Sequence, residues 1–194
     1  NKNKIISLTL AFASGVMLTI SVSDLIPSSF TYLKDYNFFF RLLLIIFSFI
    51  LGIFLSYYIS LKAEKEHTNS LKKIGIISML AIILHNIPEG IITFMVTGIN
   101  LNLGIKLVIA ISLHNIPEGI SIAIPLFYAT KKKLKTFLMV LISGLSEILG
   151  AILSYLFLSK LMNNFLIGNI FSLIAGIMIN ISLTEILPET FKYQ

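Results

Sequence analysis

The sequence has no cysteine and no tryptophan, and only 12% of its 194 residues are charged. The absence of cysteine excludes disulfide bonds and thiolate metal sites. The shortage of charge, together with 56% hydrophobic residues and a mean hydropathy of +0.93, excludes an ordinary soluble domain. Acidic residues are rarer than basic ones, which gives a net charge of +6. Because lysines of membrane proteins concentrate in cytoplasmic loops, this charge does not predict nucleic acid as a partner.

Six long apolar stretches predict six transmembrane helices joined by short loops. At about 1.5 Å per residue, each is long enough to cross the hydrocarbon core of a bilayer. In lipid, every backbone polar group must be satisfied internally, so the predicted fold class is all-α. We expect a polytopic helical membrane protein with one transmembrane domain over residues 1–194 and spans at residues 5–30, 38–61, 74–99, 103–130, 134–161 and 165–191.

The distribution of Lys and Arg predicts the orientation of these spans. The side that holds both ends of the chain carries eleven lysines, whereas the other side carries four basic residues, Lys34, Arg41, Lys106 and Lys160. The excess of positive charge marks the cytoplasmic side. We therefore expect a multi-pass protein of the cell membrane with both visible ends in the cytoplasm.

The hexapeptide His-Asn-Ile-Pro-Glu-Gly occurs twice, at residues 85–90 and 114–119, near the middle of the third and fourth spans. An ionisable side chain at that depth costs at least ~2.5–3.5 kcal/mol, so the two His and two Glu need partners. His and Glu four residues apart share one helix face, and the Asn adds an amide oxygen. This mixture of nitrogen and oxygen donors favours Zn²⁺, Fe²⁺ or Mn²⁺ over Mg²⁺ or Ca²⁺. The candidate ligands are His85, Asn86, Glu89, His114, Asn115 and Glu118.

Proline and glycine inside the hexapeptides predict local features of both helices. Pro88 and Pro117 have no N–H and displace the carbonyl four residues back, which predicts a kink beside each motif. Gly90 and Gly119 permit close approach of a neighbouring helix. The remaining histidine, His67, lies in a charged loop, where we expect it to be solvated.

Three further carboxylates lie within the predicted spans. Glu147 is halfway along the fifth span, on a stripe with Ser143, Gly150 and Ser154, and we expect it to be a metal ligand or to support one. Asp24 and Glu185 lie near the ends of the first and sixth spans and are expected to mark the two mouths of an ion path. The alternative for each of these two is a carboxylate that simply reaches interfacial water.

Asp24 and Glu185 belong to a second internal repeat. Residues 15–30 align without gaps on residues 176–191, with six of sixteen positions identical. Since the first and sixth spans run in opposite directions, as do the third and fourth, both repeats are predicted to be inverted across the membrane. Inverted repeats with polar groups at the midplane are typical of secondary transporters.

The paired hexapeptides, the Ser-Gly-Leu-Ser-Glu sequence that ends at Glu147, and the Asp-Leu-Ile-Pro and Glu-Ile-Leu-Pro sequences at residues 24–27 and 185–188 resemble the ZIP (Zrt/Irt-like) family of metal transporters, and within it a bacterial branch of broad specificity. The resemblance covers essentially the whole chain. That family has eight spans, so the six found here correspond to its second to seventh. Because the chain also begins with Asn1 rather than methionine, we expect it to be a fragment without the first and last spans.

The resemblance implies a binuclear metal site on the two motif helices. One metal position would take His85, Glu89, His114 and Glu118. The second would take Asn86, Asn115 and Glu147 together with the same two glutamates, which would bridge the metals. The family often has a histidine before the carboxylate of its seventh span, and this chain has Thr184 there.

The resulting prediction is an uptake transporter for divalent transition metals, working by alternating access, with Zn²⁺ as leading substrate and Fe²⁺, Mn²⁺ or Cd²⁺ as further substrates. We expect no enzymatic activity and no cofactor other than the transported metal. The expected partners are metal ions and membrane lipid, and a homodimer is left open. The alternatives are a membrane metalloenzyme with a His/Glu di-metal centre, and a metal-gated channel or sensor; the sequence lacks the His-Glu-x-x-His motif that would favour the enzyme.

Overall fold

The computed structural model describes residues 2–66, 70–99, 101–158 and 163–193, and within these ranges the chain is helical, with no strand. The helices are α1 (Lys2–Ile20), α2 (Ile26–Tyr32), α3 (Phe38–Glu66), α4 (Ser70–Ile99), α5 (Leu101–Thr130), α6 (Lys133–Leu153), α7 (Asn164–Ile181) and α8 (Leu187–Lys192). The predicted all-α membrane fold is therefore confirmed.

Five segments of the described chain are long and apolar enough to cross a membrane. They are Asn3–Tyr32, Phe38–Leu61, Leu71–Met95, Lys133–Leu156 and Asn164–Lys192. Each matches a predicted span to within five residues at either end. The agreement reflects the strength of the apolar pattern, because long hydrophobic runs are interrupted only where charged loops begin.

The fourth predicted span is the one difference from the expected six. It lies in α5, which is a continuous helix of 30 residues but is not among the five segments. Several α5 side chains lie outside the described part of the structure, and the segment also carries a polar His-Asn pair and a glutamate at its centre. A thirty-residue helix is nevertheless about 45 Å long, which exceeds the thickness of the hydrocarbon core.

The first and last spans each contain a π-helical turn at the same position of the internal repeat. These turns are Ser21–Leu25, between α1 and α2, and Ser182–Ile186, between α7 and α8. In each turn the N–H that follows it reaches back five residues, from Ile26 to the carbonyl of Ser21 and from Leu187 to that of Ser182. A proline comes next in both copies, and because proline has no N–H, the regular hydrogen-bond ladder cannot continue there. The repeat detected in the sequence is thus a repeat of local backbone structure.

Two helix pairs pack backbone to backbone through glycine. In the α3–α7 pair, a Cβ added at Gly52 would collide with the carbonyl of Leu173, and one at Gly176 would collide with the carbonyl of Phe49. In the α4–α6 pair, a Cβ at Gly90 would collide with the carbonyl of Glu147. Close approach of this kind is how small residues hold transmembrane helices together.

The close approach that glycine permits is present at Gly90 and absent at Gly119 among the described residues. In that part of the chain, a Cβ at Gly119 would meet only the Val140 side chain, at 3.6 Å, which is an ordinary contact. The partner that completes the α4–α6 contact is instead Gly150, whose added Cβ would collide with the carbonyl of Ile87. The two copies of the hexapeptide are therefore packed differently: α6 lies tightly against the first copy and more loosely against the second.

Hydroxyl side chains in the first span bond both within their own helix and to the last span. Thr19 donates to the carbonyl of Gly15 at 2.8 Å, and Ser21 and Ser23 donate at 2.7 Å to the carbonyls of Met17 and Thr19. A hydroxyl four residues after a carbonyl is well placed for this bond. Ser14 and Ser29 instead donate to the carbonyls of Ser182 and Gly168, at 3.3 and 2.7 Å, and so connect the first span to the last.

Candidate metal site

Three predicted ligands of the paired motif meet where α4 passes α5. Nε2 of His85 lies 3.0 Å from Oε1 of Glu89 and 3.6 Å from Oε1 of Glu118. His85 and Glu89 come together because side chains four residues apart stack on one helix face. Glu118 reaches the same point from α5, so one imidazole and two carboxylates from the two motif copies form a cluster.

This cluster is buried. His85 and Glu118 are each 1% exposed and Glu89 is 7% exposed. Both helices continue through their prolines, Pro88 and Pro117, at the level of the cluster. Two carboxylates in an apolar interior are costly unless a cation compensates them, and one imidazole supplies at most one positive charge. The cluster therefore has the charge and the donor atoms to receive a cation.

Asn86 is oriented by α6. Its Nδ2 donates to the backbone carbonyl of Ser143 at 3.1 Å. Its Oδ1 is buried and, among the described residues, has no hydrogen-bond partner. Since an amide has its donor on one atom and its acceptor on the other, holding Nδ2 against α6 directs the oxygen to the opposite side.

Asn115 shows the same arrangement in the second motif copy. Its Nδ2 donates to Oε2 of Glu147 at 3.1 Å, and its Oδ1 is buried without a hydrogen-bond partner in the described part of the chain. Glu147 therefore contacts the motif directly, and the predicted small, polar stripe of the fifth span is present, with Ser143 buried on α6 and Ser154 buried in the π-helical turn that follows it. Both asparagines thus have their amino groups engaged by α6 and an oxygen left over as a potential ligand.

A cavity of about 60 Å³ lies between α4, α5 and α6, next to these groups. Its polar lining comes from Asn86, Asn115, Glu118 and Ser143, and its apolar lining from side chains such as Ile82 and Ile122. This volume holds one or two water molecules or a small cation, and a polar lining with several acceptors is what such an occupant needs. The cavity therefore places polar acceptors and free space directly beside the His85 cluster.

Asp24 and Glu185 lie in the two π-helical turns, as the repeat requires. Asp24 is exposed and accepts a hydrogen bond from Oγ of Ser28 at 3.4 Å. Glu185 is paired with a lysine that the sequence did not single out: Nζ of Lys73 lies 3.1 Å from its Oε2. Because Lys73 is near the start of α4 and Glu185 near the end of the last span, these two segments end on the same side of the molecule.

Two predicted residues cannot be placed. The side chain of His114 and the whole of His67 lie outside the described residues. In the part of the chain that is described, no group of three or more His, Asp or Glu side chains is arranged so that it could hold a metal ion, so the cluster of His85, Glu89 and Glu118 has the donor types of a metal site but not its geometry. The role of His114 as fourth ligand therefore stays a prediction.

Sequence reasoning missed the Ser143 carbonyl and Lys73. A backbone carbonyl carries no sequence signal. Lys73 was counted only as one of many cytoplasmic lysines, because nothing in its neighbourhood distinguishes it from Lys72. In contrast, the contact of Glu147 with the motif was anticipated from its depth in the span.

Comparison with known proteins gives consistent matches along the chain. Residues 59–194 match the family described as ZIP Zinc transporter. The chain is 36% identical over 203 aligned positions to the zinc transporter ZupT of Streptococcus mutans, an alignment that covers 97% of this chain and 77% of that protein. It is also 36% identical over 209 positions to ZupT of Chlorobium chlorochromatii, which covers 98% of this chain and 78% of the relative.

A third relative aligns over a shorter stretch but with higher sequence identity. Over 124 residues the chain is 48% identical to the zinc transporter ZupT of Clostridium perfringens, which covers 64% of this chain and 44% of that relative. The chain thus aligns with less than half of one relative's length and about three quarters of the other two.

Proposed function

The chain belongs to the ZIP zinc transporter family, and from this we propose that it carries divalent transition-metal cations, Zn²⁺ foremost, across the membrane into the cytoplasm. Membership confirms the resemblance seen in the sequence. It also confirms that the chain is a multi-pass membrane transport protein and not an enzyme, which sets aside the metalloenzyme alternative.

The observation that supports the proposal best is the buried meeting of His85, Glu89 and Glu118 in the middle of two apolar helices. Imidazole nitrogen and carboxylate oxygen are ligands that Zn²⁺ accepts readily. Two negative charges match the charge of a dication. The cluster draws on both copies of the hexapeptide, which gives a reason for their duplication.

The second metal position would use the two amide oxygens. The amino groups of Asn86 and Asn115 are engaged by α6, so both oxygens remain for an ion in the adjacent cavity. Glu118 lines that cavity and also faces His85, which suits a carboxylate that bridges two ions. His114 would complete the first position.

The proposed transport cycle is alternating access. Metal enters past Asp24, is held by the paired motif, and leaves past Glu185. Contacts within the molecule support a division into two groups of helices, because α4 packs most extensively on α5 and α6, whereas α3 packs on α7. Movement of the α4–α5–α6 group against the others would expose the site to each side in turn.

An inside-negative membrane potential is by itself sufficient to drive the uptake of a dication, whether or not protons are also coupled to it. Each elementary charge gains about 2.3 kcal/mol per 100 mV, so a dication gains about 4.6 kcal/mol. The same reasoning applies to Fe²⁺, Mn²⁺ and Cd²⁺, whose ligand preferences overlap those of Zn²⁺. Membrane lipid is the expected surrounding of the molecule, since α3 and α6 display exposed apolar side chains such as Phe39 and Leu134. A homodimer remains a further expectation.

Metal flux into proteoliposomes tests the proposal. The purified chain should produce saturable Zn²⁺ entry that an inside-negative potential accelerates, and Fe²⁺, Mn²⁺ or Cd²⁺ outside should compete. Glu118→Gln provides the inactive control because it removes a charge from the buried cluster. Absence of flux above protein-free vesicles would contradict transport by this chain, and flux that does not saturate would favour a channel.

A further inference from the structure

Lys73 and Glu185 form an ion pair between two helices that lie in different groups. Nζ of Lys73 and Oε2 of Glu185 are 3.1 Å apart, and the two side chains are only 17% and 14% exposed. Lys73 lies in the first turn of α4, whose middle carries His85 and Glu89. Glu185 lies in the π-helical turn that follows α7.

Lys73 pairs with Glu185, the carboxylate that a departing metal would meet. His85 lies twelve residues after Lys73 along α4, a rise of about 18 Å, so the pair lies well to one side of the buried cluster. An ammonium at hydrogen-bond distance neutralises Glu185 and repels a second cation. A dication can therefore use Glu185 only after Lys73 has moved away.

The corresponding position at the other end of the molecule is different. Asp24 occupies the matching place of the repeat, but it is exposed and its carboxylate accepts a hydrogen bond from the neutral hydroxyl of Ser28. The repeat thus has one carboxylate paired with a lysine of another helix and one, Asp24, for which the described residues supply no lysine partner. This asymmetry distinguishes a closed end from an open one.

We propose that Lys73 acts as a tethered cation that closes the Glu185 mouth of the transport path and must be displaced for metal to leave. The inference rests on the proposed function, since it assigns Glu185 to the route. It adds a residue outside the paired motif whose charge sets the balance between the closed and the open form of this mouth.

The first test measures access to the space behind the pair and requires no metal flux. Ser78 is fully buried on α4, between Lys73 and His85. Because the sequence has no cysteine, a cysteine introduced there would be the single thiol of the protein. In Ser78→Cys protein in detergent, Lys73→Gln should speed labelling by a water-soluble thiol reagent about two- to fivefold, the range expected for loss of a partly exposed pair. Lys73→Arg keeps the pair and should label at the parent rate.

Lys192 provides the matched control. Its Nζ pairs with Oε2 of Glu189 at 2.7 Å, but both residues lie in α8, so this pair joins no two helices. Lys192→Gln removes the same charge from the same end and should leave labelling of Ser78→Cys unchanged. Equal labelling rates in the Lys73→Gln and parent proteins, or equal acceleration by Lys192→Gln, would overturn the proposal.

The second test crosslinks positions 73 and 185, which holds the Glu185 mouth in its closed form. Lys73→Cys with Glu185→Cys, bridged by a short bifunctional thiol reagent, should lower Zn²⁺ uptake into proteoliposomes at least fivefold, with recovery on reduction. The Glu189→Cys and Lys192→Cys pair, bridged within α8, should keep the uptake of its unbridged form. Failure of the first pair to bridge, or full uptake after bridging, would contradict the proposal. If Lys73→Gln speeds labelling while even the unmodified chain carries no Zn²⁺, the Lys73–Glu185 pair closes this end of the molecule but the proposed function fails, and with it the role of the pair in metal release.

Discussion

Glu89 and Glu118 differ from the asparagines beside them in what each side chain already contacts. Both glutamates face His85, whereas the asparagine amino groups are held by α6. The glutamates would therefore supply the charge that a cation needs, and the asparagines a neutral oxygen in fixed orientation. This division leads to two predictions for single residues.

Glu89→Gln or Glu118→Gln should weaken Zn²⁺ binding at least tenfold, about 1.4 kcal/mol, because each removes a full negative charge from a buried site. Asn86→Ala and Asn115→Ala should retain part of the binding and uptake. Competition with a fluorescent chelator gives the affinities, and uptake is compared at equal protein amount. Uptake that survives in the glutamine variants but fails in the alanine variants would show that the neutral ligands govern transport.

Asn86→Asp should destabilise the metal-free protein. Bound metal should then raise the unfolding temperature of this variant more than it raises that of the parent protein. The carboxylate loses the donor that faces the Ser143 carbonyl and places two acceptors against each other, which costs about 1–3 kcal/mol. A bound dication would offset the added charge. Thermal unfolding in detergent, with and without Zn²⁺, measures both the destabilisation and its offset by metal. An unfolding temperature unchanged in the absence of metal would mean that the Ser143 contact does not hold Asn86.

At the scale of elements, glycine determines which helices are fixed together. Gly90 and Gly150 bring α4 against α6, and Gly52 and Gly176 bring α3 against α7. Hydrogen bonds reinforce the second pair, since Ser48 donates to Asn169 at 2.8 Å and Asn180 donates to Ser56 at 2.9 Å. The α4–α6 contact also places Glu147 and the Ser143 carbonyl against the motif, so packing and site geometry are linked.

Gly150→Ala should therefore lower the stability of the protein by about 1–3 kcal/mol, the usual cost of overpacking a tight contact. Its added methyl would collide with the Ile87 backbone. Gly144→Ala, also on α6, is the control, because no atom of the described residues lies within 4 Å of its added Cβ. Thermal unfolding of both variants provides the comparison. A Gly150→Ala protein as stable as Gly144→Ala would mean that the two helices are less close than the structure has them.

Elements were more predictable from the sequence than contacts were. Hydropathy placed the second span at Phe38–Leu61, as observed, because a run of apolar residues between charged loops has few alternatives in lipid. The pairing of Lys73 with Glu185, and of Asn86 with a backbone carbonyl, depends on how distant helices pack. Likewise, both hexapeptides contain glycine, but among the described contacts Gly90 meets a backbone carbonyl and Gly119 does not. The difference arises because the two motif helices have different neighbours.

At the scale of the whole molecule, orientation in the membrane determines which end receives the metal and which end releases it. The structure puts Lys73 and Glu185 at one end, and the excess of lysine in the loops near that end predicts that it faces the cytoplasm. The direction of metal movement past Asp24 and Glu185 depends on this assignment.

A cysteine in place of Lys132, in the exposed loop between α5 and α6, should resist an impermeant thiol reagent added to intact cells. Asp35→Cys, in the exposed loop between α2 and α3, should react rapidly under the same conditions. The absence of native cysteine makes each label specific. The reverse pattern would invert the molecule in the membrane and exchange the entrance and the exit.

The hydroxyl groups of the first span bear on how the protein is made. Thr19, Ser21 and Ser23 donate to carbonyls of their own helix, whereas Ser14 and Ser29 donate to the carbonyls of Ser182 and Gly168 in the last span. The first three hydroxyls need no other span, but Ser14 and Ser29 gain their partners only after the last span has been synthesised. In the third span, His85 gains its contact with Glu118 as soon as the fourth span is present. Biosynthesis should therefore complete the polar contacts of the third span before those of the first.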